Sequence, residues 1–182
     1  MRHYSAVTEP RRLSLDRLGD FSAGSHVFRE DWRDGLKLLE ENPRALWVRL
    51  VPPQRADFEE WANEVFSTIL EKDTEEFQWD MLVVMDEAHR YGLNRIAATS
   101  PLAQAVLEGR HYGLRWLLGA QRMVDVPASI LNQTTDLACF EIIPPRDRNR
   151  LEEWTEAGAG DAVLTMPPYH CLLWSPLGRR LV

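Results

Sequence analysis

The stretch "MLVVMDEAHRYG", Met81 to Gly92, decides how the rest of the sequence is interpreted. The unbroken apolar run from Met81 to Met85 predicts a strand that is buried on both faces, as strands of a parallel sheet are. The run is followed directly by two carboxylates, Asp86 and Glu87, which therefore stand at the carboxyl end of the strand. In an open α/β sheet that end lines the ligand crevice. The stretch thus predicts both a fold class and the position of a candidate site.

Apolar runs and amphipathic stretches alternate along the chain on both sides of this strand. Strands are predicted at 11–16, near "SHVF" (25–28), and at 45–51, 81–87, 114–121 and 136–143. Helices are predicted at 31–42, 56–72, 100–113, 127–133 and 145–158, and Gly113 is expected to end the third of them. Strands that are apolar throughout, separated by amphipathic helices, indicate an α/β fold with a mainly parallel sheet and helices on both faces. The close of the chain, with Pro167-Pro168 between the alternating runs "AVLTM" and "YHCLLW", predicts a C-terminal hairpin.

Length and composition favour a single domain covering residues 1–182, because 182 residues with 45% hydrophobic content can bury one sizeable core. The net charge of −7 argues against a broad nucleic-acid-binding face, but not against a few arginines on loops. No run of about 18 apolar residues could span a bilayer and no secretory signal is present, which predicts a soluble, cytoplasmic protein. The only cysteines, Cys139 and Cys171, lie in apolar runs and are expected to be buried, reduced thiols.

The paired carboxylates can divide two tasks in nucleotide hydrolysis. Asp86 would hold the water shell of a magnesium ion, while Glu87 would polarise a water for attack on a γ-phosphate. The alternative is an acidic, hydrated strand end without a ligand. A second strand, "LRWLLGAQR" (114–122), ends in Gln121 at the same sheet edge, where a glutamine can bind the γ-phosphate or the attacking water. Gln121 alone would more simply be a polar cap, but beside Asp86 and Glu87 it favours a nucleotide site.

Histidine in this stretch does not indicate a metal centre. His89 lacks the second histidine of an HExxH motif, so it is expected to make only a polar contact near the site.

Three segments, "VVMDEAHRYG", "LEGRHYGLRWLLGAQRMVDVPASILNQTTDLACFEI" and "PRDRNRLEEW", resemble the central and C-terminal part of the HerA/FtsK superfamily of P-loop ATPases. The resemblance covers about residues 80–155 and implies a RecA-like (ASCE) core. That group includes DNA translocases and the genome-packaging ATPases of many double-stranded DNA viruses. The compact length and the "PPYHCLLW" ending look closer to the small viral packaging ATPases.

What the resemblance implies about residues is specific. It makes Asp86 and Glu87 the Walker B pair and Gln121 the sensor of the γ-phosphate. Arg110 is its candidate for an arginine that completes the site of a neighbouring subunit in a ring, and Arg146 and Arg148 are weaker candidates. It also implies Mg²⁺ and ATP as cofactors, a homo-oligomer and double-stranded DNA as partners, and Arg95 and Arg122 as DNA contacts. Arg110, Arg146 and Arg148 could equally be ordinary surface charges.

The phosphate-binding half of such a site is missing from the sequence. A P-loop needs G-x-x-x-x-G-K-[ST], in which backbone amides and the lysine hold the phosphates and the hydroxyl ligates magnesium. The only lysines, Lys37 and Lys72, neither follow a glycine-rich turn nor precede Ser or Thr. The chain as written is therefore predicted to bind ATP poorly and to hydrolyse it negligibly.

Both truncation and natural loss of the P-loop could explain this absence. In the resembled family the P-loop strand precedes a segment similar to "RRLSLDRLGDF" and lies inside the sheet. Its omission is expected to leave a gap with unpaired backbone groups, which are costly when buried.

Three functions stay open on these grounds. The first is the ATPase domain of a DNA-translocating or genome-packaging motor, and the second is a non-hydrolysing scaffold or binding subunit derived from such a motor. The third is a fragment of a DEAH-box helicase, suggested by the letters "DEAH" alone. No Ser-Ala-Thr motif follows that tetrapeptide, and "QRMVDVP" does not match the arginine-rich closing motif of such helicases.

Overall fold

The structure, a computed structural model, describes residues 11–15, 26–28, 31–42, 46–53, 56–72, 79–93, 99–175 and 178–181. The chain packs as two compact units, Met1–Gly119 and Ala120–Val182, and each is described by itself. The single domain expected from the sequence stays a prediction. None of the helices in the described part is both long enough and apolar enough to cross a membrane.

The first unit is built on a parallel sheet. Its strands are β1 (Arg11–Leu15), β2 (His26–Phe28), β3 (Trp47–Leu50), β4 (Met81–Met85) and β5 (Leu114–Leu118). Its helices are α1 (Trp32–Glu41), α2 (Phe58–Glu71) and α3 (Pro101–Glu108), with 3-10 turns at Ala88–Tyr91 and Gly109–Tyr112. The strand order is β2-β3-β1-β4-β5, and every neighbouring pair is parallel. The predicted α/β fold with a mainly parallel sheet is therefore confirmed.

Burial explains why the strand β4 forms where the sequence predicts it. Its residues Met81, Val83 and Met85 are fully buried, and the intervening Leu82 and Val84 are half-buried. Each fully buried side chain of this size contributes about 1.5–3 kcal/mol of transfer free energy. The strand is shorter than the predicted 81–87, because the chain turns at the two carboxylates.

Helix α2 packs through the face that its apolar spacing predicts. Trp61, Val65, Phe66 and Ile69 are all buried, as residues three and four apart on one helical face should be. The helix begins after Asp57, whose carboxylate accepts hydrogen bonds from the amides of its first turn.

Gly113 sets the entry into β5, as expected for a helix stop. Its φ of +69° lies in the left-handed region that favours glycine. A Cβ at this position would also lie 2.8 Å from the backbone nitrogen of Asp80, so the two chain segments can approach only at a glycine.

The second unit combines an antiparallel sheet with short helices. Its strands are β6 (Leu137–Cys139), β7 (Leu172–Ser175) and β8 (Gly178–Leu181), in the order β6-β7-β8. Its helices are α4 (Ala128–Leu131), α5 (Pro145–Trp154) and α6 (Ala159–Leu164). The core is a cluster of buried residues: Met123, Leu131, Cys139, Leu151, Ala159, Val163, Met166 and Leu172.

Antiparallel pairing at the C-terminus is confirmed. The sequence predicts one strand on each side of Pro167-Pro168, and the prediction is wrong for the strand before the prolines. The run "AVLTM" begins inside helix α6 rather than forming a strand. Ala159, Val163 and Met166 are spaced four and three residues apart and all enter the core cluster, so helical periodicity prevails over the apparent alternation. β7 pairs instead with β6 and β8.

Candidate functional site

The candidate site begins where β4 ends. β4 lies between β1 and β5, so the Asp86–Glu87 turn that follows it stands at the carboxyl edge of the sheet. The Asp86 side chain is exposed, and its Oδ1 accepts a hydrogen bond of 2.8 Å from the backbone N–H of Glu87. This bond orients the Asp86 carboxylate across the turn.

Gly119 ties this turn to the end of the neighbouring strand. Its N–H donates to the carbonyl oxygen of Met85 at 2.9 Å, and its carbonyl oxygen accepts from the N–H of Ala88 at 2.9 Å. A Cβ on Gly119 would lie 2.5 Å from Oδ1 of Asp86. The absence of a side chain therefore lets the carboxylate of Asp86 rest against the β5 terminus, and two backbone bonds bracket the Asp-Glu pair.

Glu87 adopts a conformation that is rare for a residue with a side chain. Its φ of 49° and ψ of 46° are left-handed, which costs about 1–2 kcal/mol for a non-glycine residue. Such strain persists only where the surroundings impose it, and it is enriched at functional sites. The Glu87 carboxylate forms an ion pair with Nε of Arg90 at 2.5 Å, and its side chain is only 17% exposed.

Aromatic side chains pack against one another at the 3-10 turn Ala88–Tyr91, which follows Glu87. Tyr91 is 2% exposed, and its ring centroid lies 6.0 Å from that of Phe58 and 6.4 Å from that of Trp61, both on α2. His89 is half-buried, and its Nδ1 is buried without a hydrogen-bond partner among the described residues. The packing fixes the turn while leaving Asp86 at the surface.

The donor set fits a magnesium ion that also binds phosphate oxygens. Magnesium keeps several waters and is usually held by one or two carboxylates together with substrate phosphates. Asp86 presents one exposed carboxylate at the sheet edge, which suits such water-mediated contact. The described residues contain no cluster of three or more His, Cys, Asp or Glu that could hold a metal ion by itself.

Both lysines of the chain are engaged elsewhere. They line a cavity of about 520 Å³ between α1 and α2, together with Arg33, Asp34, Leu36, Glu40, Glu41 and Thr68. Lys72 forms an ion pair with Glu40, and Lys37 with Glu41 at 3.9 Å. Neither lysine is part of a phosphate-binding loop.

Gln121 follows β5 by three residues and is the second residue of the second unit, and its side chain is exposed. The next residue, Arg122, donates from Nε and Nη2 to Asp147 at 3.3 and 3.0 Å. Asp147 is 1% exposed and also accepts the N–H of Val124 at 3.0 Å. Burial alone would raise the pKa of Asp147, but the bonds from Val124 and Arg122 outweigh it and hold the pKa below its usual value.

The remaining arginine candidates lie in different places. Arg110 is exposed in the 3-10 turn before β5, so it stands at the opposite edge of the sheet from Asp86. Arg146 is exposed on the first turn of α5, and Arg148 on the same helix is half-buried. Arg95 falls outside the described residues.

Sequence reasoning missed the roles of three residues: Gly119 and Arg90 at the Asp86–Glu87 turn, and Asp147 beside Arg122 in the second unit. Gly119 lets the carboxylate of Asp86 approach its backbone closely. Arg90 forms an ion pair with Glu87, and Asp147 accepts a hydrogen bond from the N–H of Val124. A glycine immediately after an apolar strand was a usable signal for the first. The other two depend on partners that only the folded chain brings near.

Among the solved structures similar to this chain are those of a viral genome-packaging NTPase. The genome packaging NTPase B204 from Sulfolobus turreted icosahedral virus 2, in complex with ATP-gammaS, matches with a TM-score of 0.74 and 16% identity over 94% of this chain and 81% of that chain. The same protein in complex with sulfate gives 0.74 and 17% over 95% and 80%.

A further B204 structure, the DNA-packaging ATPase from Sulfolobus Turreted Icosahedral Virus, gives a TM-score of 0.60 and 14% identity over 96% and 98%. No protein-family model and no curated protein matches the sequence. At these identities the comparisons establish the fold alone. They confirm that the fold of this chain resembles that of packaging ATPases.

Proposed function

We propose that this chain is the ATPase-like domain of a DNA-translocating or genome-packaging motor, and that it supplies the carboxylates acting on magnesium and water. The single observation that carries the proposal is the Asp86–Glu87 turn at the carboxyl end of β4, bracketed by both backbone groups of Gly119. The similarity of the fold to packaging NTPases in complex with ATP-gammaS or sulfate supports nucleotide binding.

The roles of the residues follow from their chemistry. A magnesium ion bound to ATP would neutralise charge that develops on the phosphates during transfer. Asp86 would orient water in the shell of that ion, and Glu87 would accept a proton from the attacking water. Gln121 donates a hydrogen bond to the γ-phosphate or positions the water. The ion pair with Arg90 holds the Glu87 carboxylate in one orientation.

Arg110 is assigned to the site of a neighbouring copy in a homo-oligomer. It lies at the amino end of β5, and the five residues of that strand span about 16 Å. An arginine at that edge cannot reach phosphates held at Asp86 of its own chain. A ring would bring it to the next subunit, where a guanidinium suits the charge of the transferring phosphoryl group.

The proposed DNA partner is contacted through few arginines, consistent with the acidic net charge of −7. Arg122 keeps about half of its side chain exposed while it pairs with Asp147, so it can still reach a phosphate. Arg95 is proposed from the sequence alone. Contacts of this kind would make binding of double-stranded DNA weak and strongly dependent on salt.

A non-hydrolysing scaffold subunit is the second candidate, favoured by the engagement of both lysines between α1 and α2. The coding sequence upstream of Met1 distinguishes the motor domain from the scaffold subunit. An in-frame G-x-x-x-x-G-K-[ST] motif within some tens of codons supports the motor, whereas a stop codon there supports the scaffold.

The enzymatic test uses Glu87→Gln with Glu141→Gln as a matched control on an exposed glutamate. The 182-residue chain is expected to hydrolyse ATP no faster than buffer, with or without either substitution. A chain extended by an upstream P-loop is expected to hydrolyse Mg·ATP and to lose at least about 100-fold in kcat with Glu87→Gln only. If Glu87→Gln does not slow ATP hydrolysis by the extended chain, the role assigned to Glu87 is refuted.

A further inference from the structure

The second unit contains a buried carboxylate that is fully engaged in hydrogen bonds. Asp147, on the first turn of α5, is 1% exposed. Its Oδ1 accepts the N–H of Val124 at 3.0 Å, and its Oδ2 accepts Nε and Nη2 of Arg122 at 3.3 and 3.0 Å. A buried ionised carboxylate is costly unless it is paired and hydrogen-bonded. Burial raises the pKa of Asp147, but these bonds bring the pKa below its usual value, so the group is ionised at neutral pH.

Asp147 uses one edge of the Arg122 guanidinium and leaves another edge available. The guanidinium carries five N–H donors in a rigid, planar fork. Nε and Nη2 donate to Asp147, and Nη1 has no hydrogen-bond partner among the described residues. Nη1 and the second hydrogen of Nη2 therefore form an edge with two parallel donors, and half of the side chain is exposed. Such an edge matches two oxygens of one phosphate.

The charges close to this pair are mainly positive, although the net charge of the chain is −7. Arg146 and Arg148 flank Asp147 in the sequence, and the exposed Arg146 forms no ion pair with any described residue. The hydrogen bond and the charge of Asp147, and to a smaller extent the charge of Asp125, raise the pKa of Arg122. Arg122 therefore keeps its positive charge while it is paired. Its available edge lies in a part of the second unit that attracts anions.

We propose that Asp147 is a positioning residue, which holds the Arg122 guanidinium so that its available edge binds a backbone phosphate of double-stranded DNA. This inference rests on the proposed function, because that function supplies DNA as the partner. A mobile arginine side chain loses rotamer freedom when it binds, whereas Arg122 is already ordered by two hydrogen bonds. Asp147 itself does not touch DNA and acts through Arg122.

The positioning role of Asp147 and its negative charge have opposite effects on DNA binding. A carboxylate close to a DNA-binding arginine repels phosphates, so its charge alone predicts that removing it strengthens binding. If Asp147 orients Arg122, removing it weakens binding instead. Asp147→Asn keeps the size of the side chain, and its amide oxygen can still accept the N–H of Val124. Its NH₂ group faces the N–H donors of Arg122 and cannot hold them, since both groups are donors.

The test measures the affinity of the 182-residue chain for a fluorescently labelled DNA duplex of about 24 base pairs, at KCl concentrations from about 20 to 200 mM. The wild type is expected to bind weakly, with an affinity that falls as salt rises. Arg122→Gln is expected to reduce the slope of log affinity against log salt by about 1, because one phosphate contact is lost. Asp147→Asn is expected to weaken binding about three- to tenfold and to leave the slope unchanged, because the charge of Arg122 remains.

An exposed ion pair in the first unit, Arg33 on α1 with Glu64 on α2, provides the matched controls. Arg33→Gln and Glu64→Gln remove the same two charges and are expected to leave the salt slope unchanged without weakening binding. Urea unfolding shows whether each variant is folded. If Asp147→Asn does not fold, Arg122→Lys serves in its place, because lysine keeps the charge but lacks the planar fork. Arg122→Lys is expected to weaken binding by about threefold or more.

Several outcomes would overturn the positioning role of Asp147. They are binding by Asp147→Asn that is as tight as that of the wild type or tighter, an unchanged salt slope in Arg122→Gln, and full affinity in Arg122→Lys. Absence of DNA binding by the wild type would overturn the DNA partner of the proposed function together with this inference. If the wild type binds DNA and Asp147→Asn binds equally well, only the inference about Asp147 fails.

Discussion

Adding a single methyl group at Gly119 should displace Asp86 without unfolding the protein. The Cβ of Gly119→Ala would lie 2.5 Å from Oδ1 of Asp86, closer than such atoms approach in folded proteins. Because Oδ1 ends a flexible, exposed side chain, the carboxylate can rotate away, but it then loses its hydrogen bond from the Glu87 N–H. A typical intramolecular hydrogen bond contributes about 1 kcal/mol net, and the solvent exposure of Asp86 keeps this charged one near that value.

The same substitution has an opposing effect on the unfolded chain. Replacing glycine by alanine where φ is not positive stabilises a protein by about 0.4–1 kcal/mol, because the unfolded chain loses conformational freedom. In an Asp86→Ala background there is no carboxylate to displace, so only this stabilising effect remains. The cost of Gly119→Ala should therefore differ by about 1 kcal/mol between the two backgrounds.

A double-mutant cycle measured by urea unfolding gives this difference directly. The four proteins are the wild type, Gly119→Ala, Asp86→Ala and the double variant, and each free energy of unfolding is extrapolated to water. The chemical shift of the Glu87 amide reports the loss of its bond in Gly119→Ala. If Gly119→Ala changes stability equally in both backgrounds and leaves the Glu87 amide shift unchanged, Gly119 does not support the carboxylate.

Three further predictions concern other parts of the fold. Burial raises the pKa of the Cys139 thiol to about 11, so at pH 8 a disulfide reagent should modify the half-buried Cys171 first, and simultaneous modification would contradict this. Gly113→Ala should lower the free energy of unfolding in urea by about 2–3 kcal/mol. Gly158→Ala, which is also at positive φ but has open space around its Cβ, should lower it by about 1 kcal/mol. Equal losses would be inconsistent with a clash at Gly113. Since the folded-state pKa of Asp147 is lowered, its stabilisation is present above the unfolded pKa of about 3.9 and is lost as pH falls below it. Acid titration of the free energy of unfolding should therefore be less steep in Asp147→Asn, and an unchanged slope would exclude this contribution.

Local patterns were sufficient for most elements but failed where two periodicities compete. The run from Met81 to Met85 predicts its strand because five consecutive apolar residues can be buried only between two neighbours. The run "AVLTM" fits both a strand and a helix, and the core that surrounds Val163 selects the helix. The sequence predicts the positions of turns better than it predicts whether a short apolar run is a strand or a helix. Glycine and proline act on their own stretch of backbone, whereas packing depends on residues that are distant in the sequence.

For the site, the sequence by itself determined which chemical groups are available. It places two carboxylates at a strand end, a glutamine after the next strand, and no lysine in a glycine-rich loop. Those statements depend only on residue type and order, which the chain carries before it folds.

Only the tertiary structure decided how those groups are held. The left-handed conformation of Glu87, its pairing with Arg90 and the approach of Asp86 to Gly119 require β4 and β5 to lie side by side in register. Hydrogen-bond partners are set by which strands meet, and that choice belongs to the whole sheet rather than to any local stretch.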